Sequence, residues 1–232
     1  MIHYLKSFSD QINLLLDTYP GLHITESTEN LTRLSGRINI YRTGYGYTLD
    51  KDYLVEIVVP VRSDFLPCIF DSGNAIDKNY IHRYTDGRLC LETDTRIRLF
   101  FIDGFDLCKW MTDFVEPYFF SYEYYTRYGQ FPFGERPHGF LGIVNTYQEL
   151  LNGIDEIETI KLIRFASSQK YRGHAPCPCG SNKHFRNCHG KYLYRFMTNP
   201  RYKEIIVEDW KNIQEEAAAT HDKARKNTGK AK

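Results

Sequence analysis

With 232 residues and 42% hydrophobic content, the chain is long enough for one domain of ordinary size plus a smaller module. A formal charge of only +1 excludes a global field that would draw in nucleic acid or an anionic membrane. No basic stretch and long apolar run open the sequence, and no window approaches the roughly 18 apolar residues that span a bilayer, so a folded, cytoplasmic protein with no membrane role is expected.

In chain order, Ile2, Leu5, Phe8, Ile12, Leu15 and Leu16 recur at intervals of three and four and stop at Tyr19-Pro20-Gly21, which predicts an N-terminal helix. Residues 34–41, the turn formers Thr43-Gly44-Tyr45-Gly46, and residues 53–60 read as antiparallel strands joined by a turn; Cys68-Ile69-Phe70-Asp71 reads as a third, short strand. Phe105, Leu107, Trp110, Met111, Phe114, Val115 and Tyr118 then predict a helix over about 104 to 125. Its aromatic continuation, Tyr118 to Tyr128, holds only Arg127 as a cation and reads as a packed face rather than a base-stacking surface. Residues 131–139 carry two prolines and two glycines and predict a structured loop beside the Cys90 region. Helices are expected at 140–152 and 154–168, then a linker to residue 175, and a last helix from about Pro200 to Ala219. From His221 to Lys232 five basic residues accompany a single Asp222, a solvated and mobile tail.

Six cysteines in a chain without a secretory signal favour metal binding and free thiols over disulfides. Cys177, Cys179, Cys188 and His189 are the candidate metal ligands. Structural zinc takes four such donors; the Cys-Pro-Cys step brings two thiolates onto one turn, and Gly180-Ser181 allows the reversal that returns the other two. All four positions are protein-derived, so a structural Zn2+ with no catalytic water is expected. Cys-Pro-Cys-Gly-Ser, Phe185 and the Cys-His-Gly ending, over Ala175 to Lys191, resemble the SEC-C motif, a small zinc module attached to many unrelated bacterial proteins. That resemblance implies docking to other proteins.

The second candidate centre is Cys90, the proposed nucleophile, which follows a His82-containing loop and the Asp86-Gly87 turn. A cysteine thiolate accepts an acyl group from an activated carboxylate and hands it to an amine in two easier steps. Arg88, Arg96 and Arg98 are neighbours in sequence that would supply positive potential, while Cys68 and Cys108 read as core. The order helix, strand meander, Pro-containing edge at Phe65-Leu66-Pro67, His-containing loop, Gly-x-x-Cys-Leu and helix resembles the ubiquitin-conjugating (E2) fold, with Tyr53 to Pro60 as its second strand. This implies an α+β fold: a UBC/E2-like antiparallel meander sheet flanked by helices, plus a small C-terminal zinc module and helix. The expected domains are 1–150 (E2-like), 151–174 (helical linker), 175–191 (SEC-C) and 192–232 (C-terminal helix and basic tail).

The resemblance further implies that His82 braces the motif loop. Arg83-Tyr84 stand where E2 enzymes have Pro-Asn, so the oxyanion donor must come from elsewhere, with Tyr84, Asn79 and His138 as options. By similarity to the E2-like proteins of short type II CBASS anti-phage operons, Cys90 is expected to form a thioester with the C-terminus of a cGAS-like nucleotidyltransferase or ubiquitin-like partner and pass it to a lysine. The alternative is a non-catalytic E2-like adaptor that binds partner proteins. Nucleic acid is not an expected partner.

Overall fold

The computed structural model describes residues 3–61 and 65–228, with side chains described through residue 218. They form a mixed α+β structure that divides into two compact units, residues 1–92 with 103–135, and residues 93–102 with 136–232.

The first unit is built on a four-stranded antiparallel meander in the order β1 (Leu22–Ser27), β2 (Leu31–Gly44), β3 (Tyr47–Pro60), β4 (Cys68–Asp71). β2 and β3 pair from Leu31↔Pro60 to Gly44↔Tyr47. Their two-residue connection places Tyr45 (φ 52°) and Gly46 (φ 73°) in the left-handed region, the turn whose twist matches a hairpin. Alternation puts Leu34, Ile38 and Ile40 on the same buried face as Tyr53, Val55, Ile57 and Val59. The predicted strands 34–41 and 53–60 are thus segments of two longer ones. β1 adds an unpredicted strand ahead of them, so Tyr53–Pro60 lies in the third strand rather than the second.

Helix α1 (Phe8–Thr18) begins later than the sequence periodicity suggests, because the Ser7 side chain accepts from Asp10 N and fixes the first turn there. Ahead of it, Leu5 N donates to Phe105 O (3.0 Å) and Phe105 N to His3 O; Ile2 lies outside the described residues. The buried Gln11 side chain donates to Phe105 O (3.2 Å) and accepts from Leu107 N (2.9 Å), so α1 satisfies the backbone where the long helix begins.

That helix spans α3 (Leu107–Trp110), one π-turn (Met111–Val115) and α4 (Glu116–Tyr128). Pro117 has no N–H to give a helical bond, and the preceding turn widens so that Glu116 N donates to Met111 O. Trp110, Met111, Val115, Phe119 and Phe120 are buried, with the Phe119 ring 4.2 Å from that of Tyr53. Part of the aromatic run is therefore core, as a packed face requires. Gly129 (φ 68°) ends the helix.

The second unit is helical: α2 (Asp94–Phe100), α5 (Gly139–Leu150), α6 (Glu156–Ser168), α7 (Gly190–Thr198) and α8 (Pro200–Thr228). α5 and α6 match their predicted spans closely, α2 and α7 were not anticipated, and α8 runs past Ala219 to Thr228. The end of the basic tail, residues 229–232, lies outside the described residues.

Asp209 is buried in this core, accepting from Thr95 Oγ1 and Tyr147 Oη, each at 2.7 Å. Burial pushes its carboxyl up to about 6, against the opposing pull of those two donors and Arg98; Asp94 adds to the rise. The folded state therefore holds the proton more tightly than the unfolded chain, whose carboxyl titrates at about 3.9. The stabilising contribution is complete below about pH 4 and is lost as pH rises through 6, a difference of about 3 kcal/mol. Denaturant titrations from pH 4 to 7 should show this loss in the wild type and not in Asp209→Asn, which cannot ionise.

Among the described residues, no helix is long and apolar enough to cross a membrane.

Candidate functional site

The metal cluster is assembled from a short hairpin and a helix start. Cys177 N donates to Lys183 O (2.9 Å) and Phe185 N to Ala175 O (2.8 Å), while Pro176 and His184 form a bridge. Gly180 (φ 77°) supplies the left-handed residue that the reversal after Cys179 needs. A single 3-10 turn, Phe185–Asn187, then delivers Cys188, and His189 is the first-turn cap of α7, whose Leu193 N bonds back to His189 O (3.1 Å).

The three thiols and the imidazole lie within 4.8 Å of one another. Cys179 Sγ and Cys188 Sγ are 3.6 Å apart, and His189 Nδ1 is 3.5 Å from both Cys177 Sγ and Cys188 Sγ. Tetrahedral zinc with bonds of about 2.3 Å to sulfur and about 2.0 Å to nitrogen requires sulfur–sulfur separations of about 3.8 Å and sulfur–nitrogen separations of about 3.5 Å. The donor set and its spacing therefore fit a metal centre closed by four protein ligands. Burial pushes the Cys177 thiol up to about 12. Burial also opposes ionisation of Cys179, yet hydrogen bonds to Ser181, Cys177 and Cys188 bring that thiol down to about 6.

Ser181 Oγ accepts from Cys179 Sγ (3.1 Å) and lies 3.5 Å from Cys188 Sγ; with a metal bound, its single hydroxyl proton would be turned toward these thiolates. No ligand pattern in the sequence singles it out. Outer-sphere donors of this kind are worth about 10-fold or more in metal affinity, so Ser181→Ala should weaken zinc binding by about that factor in a competition titration with a chromophoric chelator.

The module does not stand alone. Cys177 and Phe185 are buried in one apolar cluster with Tyr147, Leu162, Ile163, Leu193 and Ile206, drawn from α5 to α8. A Cβ at Gly190 would lie 2.5 Å from Phe185 O, so the helix start closes directly on the hairpin.

Cys90 lies in the first unit. The loop bearing it is fastened to the sheet edge: Leu89 N donates to Ile69 O (2.9 Å), and Arg88 bridges Phe70 of β4. Arg83 and Leu89 form a bridge of their own, so residues 82–84 and 88–90 run as facing arms. Cys90 N donates to His82 O (2.9 Å), which also accepts from Tyr118 Oη of α4 (3.0 Å). Leu89 is buried, whereas Cys90 is half-buried and outside any strand. Its thiol is 3.4 Å from Tyr84 Oη, and a ring nitrogen of His82 is within 4.8 Å of Sγ.

His82 packs between Tyr80 (5.4 Å) and Phe131 (5.3 Å). Phe131, the first residue of the predicted Pro/Gly loop, therefore borders the Cys90 loop. Of the neighbouring arginines, Arg88 pairs with Asp86 (2.7 Å) and stands 4.9 Å above the Tyr84 ring. Arg96 and Arg98 belong to α2 in the second unit, where Arg96 pairs with Glu149. Asn79 donates its backbone N–H to Asp77 (2.7 Å), and His138 caps α5. Cys68 and Cys108 are half-buried, and burial pushes both thiols up, away from nucleophilic use.

No curated protein and no solved structure matches the chain. Residues 175–191 match the family model described as the SEC-C motif, and the Cys177, Cys179, Cys188 and His189 cluster found there fits a zinc module.

Proposed function

We propose that the chain is an E2-like acyl carrier, with Cys90 as nucleophile and a structural Zn2+ held by Cys177, Cys179, Cys188 and His189. The observation that carries this reading is the setting of Cys90. It is a half-buried thiol outside the strands, on a loop pinned to the edge of a four-stranded meander, with a hydroxyl 3.4 Å from its sulfur. Partial exposure leaves the thiol within reach of a substrate.

In this reading the thiolate attacks a carboxyl carbon activated elsewhere, the activating group leaves, and a thioester forms on Sγ. The amine of a lysine then attacks the same carbon, and the thiolate departs. The acyl donor is the C-terminus of a ubiquitin-like protein or a cGAS-like nucleotidyltransferase, and the setting is anti-phage defence of the CBASS type. His82 braces the loop through its carbonyl and its packed ring rather than acting as a base. When bound, zinc would cross-link the hairpin to the start of α7 and neutralise the thiolates; it takes no part in the acyl chemistry.

Co-expression with the products of neighbouring genes, followed by non-reducing electrophoresis, tests the reading: a thiol-labile adduct should form with the wild type and be absent from Cys90→Ala.

A further inference from the structure

Transfer of an acyl group from a thioester to an amine passes through a tetrahedral carbon whose oxygen carries the negative charge. A donor that steadies it must stand about 3 Å from that oxygen, hence close to the sulfur that bears the acyl group. On the Cys90 loop, a ring nitrogen of His82 lies within 4.8 Å of Sγ and the Tyr84 hydroxyl stands nearer, at 3.4 Å. With Arg83 opposite Leu89, Tyr84 and Cys90 are diagonal neighbours on one face of the two facing arms, the relation that lets an aromatic side chain reach across. Its hydroxyl is 3.4 Å from Sγ, and the residue is 42% exposed, open to an incoming substrate.

The placement is held from several directions. Tyr84 N donates to Arg88 O and Gly87 N to Tyr84 O, both at 2.9 Å, closing a tight turn that Gly87 permits at φ 91°. Asp86 accepts from Arg88 N (3.0 Å) and pairs with the Arg88 guanidinium, fixing it over the Tyr84 ring. A cation over the ring draws on its π electrons and makes the phenolic O–H a stronger donor.

We propose that Tyr84 is a catalytic residue, the oxyanion donor for acyl transfer at Cys90; this rests on the thioester reading above. The amine nitrogen bonds to the carbonyl carbon as the carbonyl pair moves onto oxygen, where the Tyr84 hydroxyl donates while keeping its proton. The nitrogen loses a proton to solvent, the oxygen pair re-forms the carbonyl as the C–S bond breaks with its electron pair going to Sγ, and Tyr84 then donates to the departing thiolate. The products are an amide and free Cys90, with no oxidant or reductant consumed.

The test uses the full zinc-loaded chain and, as probe, the mercaptoethanesulfonate thioester of a short glycine-terminated peptide, with free lysine as acceptor. Intact mass follows loading onto Cys90 and then discharge. Tyr84→Phe keeps the ring; loading passes through the same kind of oxyanion and should slow as well but run to completion with excess probe, and discharge of the loaded variant to lysine should be about 100-fold slower than that of the wild type. Loading itself reports that the variant is folded. Discharge at the wild-type rate would overturn the role of Tyr84 and leave the thioester reading standing. A variant that fails to load would assign the hydroxyl to holding the thiol, and the oxyanion role would be lost. If the wild type loads no more than Cys90→Ala, the thioester reading falls and this inference with it.

Discussion

Stripping zinc from the chain is expected to loosen the whole helical unit rather than the cysteine hairpin alone. Cys177 and Phe185 are part of the apolar cluster that α5, α6, α7 and α8 share, and His189 is both a cluster donor and the cap of α7. Releasing the metal leaves three thiols and an imidazole crowded within 4.8 Å of one another, one of them inside the core. Zinc binding in small modules contributes about 10 kcal/mol or more of apparent free energy. Here the surrounding helices carry part of the fold, so Cys188→Ser or chelation should cost less than that while still destabilising the unit. Elemental analysis should give one zinc per chain for the wild type and none for the variant. Hydrogen exchange should then accelerate in α6 and α7, while the β2–β3 hairpin keeps its protection. Unchanged exchange in α6 and α7 after complete zinc removal would contradict this picture.

The parts of the fold legible in the sequence are those whose signal is local. Alternation in β2 and β3 and the Tyr45-Gly46 turn announce the hairpin because one face is buried and the turn demands positive φ. The metal donors are legible for the same reason, since a hairpin and one 3-10 turn bring them together within thirteen residues. β1 escaped because it is an edge strand in which only Leu22 is buried, so its sequence reads as a polar loop. α2 escaped because it is seven residues long and charged, and it gains its burial at Thr95 and Ile97 from the helical unit. α7 lay hidden behind the ligand pattern that ends where it starts, although Leu193, Phe196 and Met197 have helical spacing. Pro117 suggests a break in the long helix; the π-turn that absorbs it depends on packing that no local rule encodes.

The Cys90 region was legible only in part. The resemblance of the element order to the E2 fold singled out the thiol and its turn, and named Tyr84, Asn79 and His138 as substitutes for the missing oxyanion donor without choosing among them. What distinguishes Tyr84 is the bridge between Arg83 and Leu89, a pairing set by attachment of the loop to β4. The sequence neighbours Arg96 and Arg98 illustrate the converse, since α2 carries them into the other compact unit.

Replacing Cys90 is expected to abolish partner attachment outright, the largest functional effect in the chain. Cys68 and Cys108 are pushed toward the neutral form by burial, and the cysteines of the C-terminal cluster form a group that fits a metal site. Neither Cys68→Ala nor Cys108→Ala should reduce adduct formation. The alternative, an adaptor that binds its partner without chemistry, predicts association that survives loss of the thiol.

Cys90→Ser separates the two. A serine at this position accepts the same acyl group but forms an oxyester, which resists thiols and accumulates. Intact mass of Cys90→Ser recovered with its native partner should give a 1:1 covalent species lighter by one water than the sum of the two proteins, stable to dithiothreitol and cleaved by mild base, with the modification on residue 90. Recovery of the two proteins with unmodified masses, under conditions where they co-purify, would contradict the acyl-carrier account and leave the adaptor.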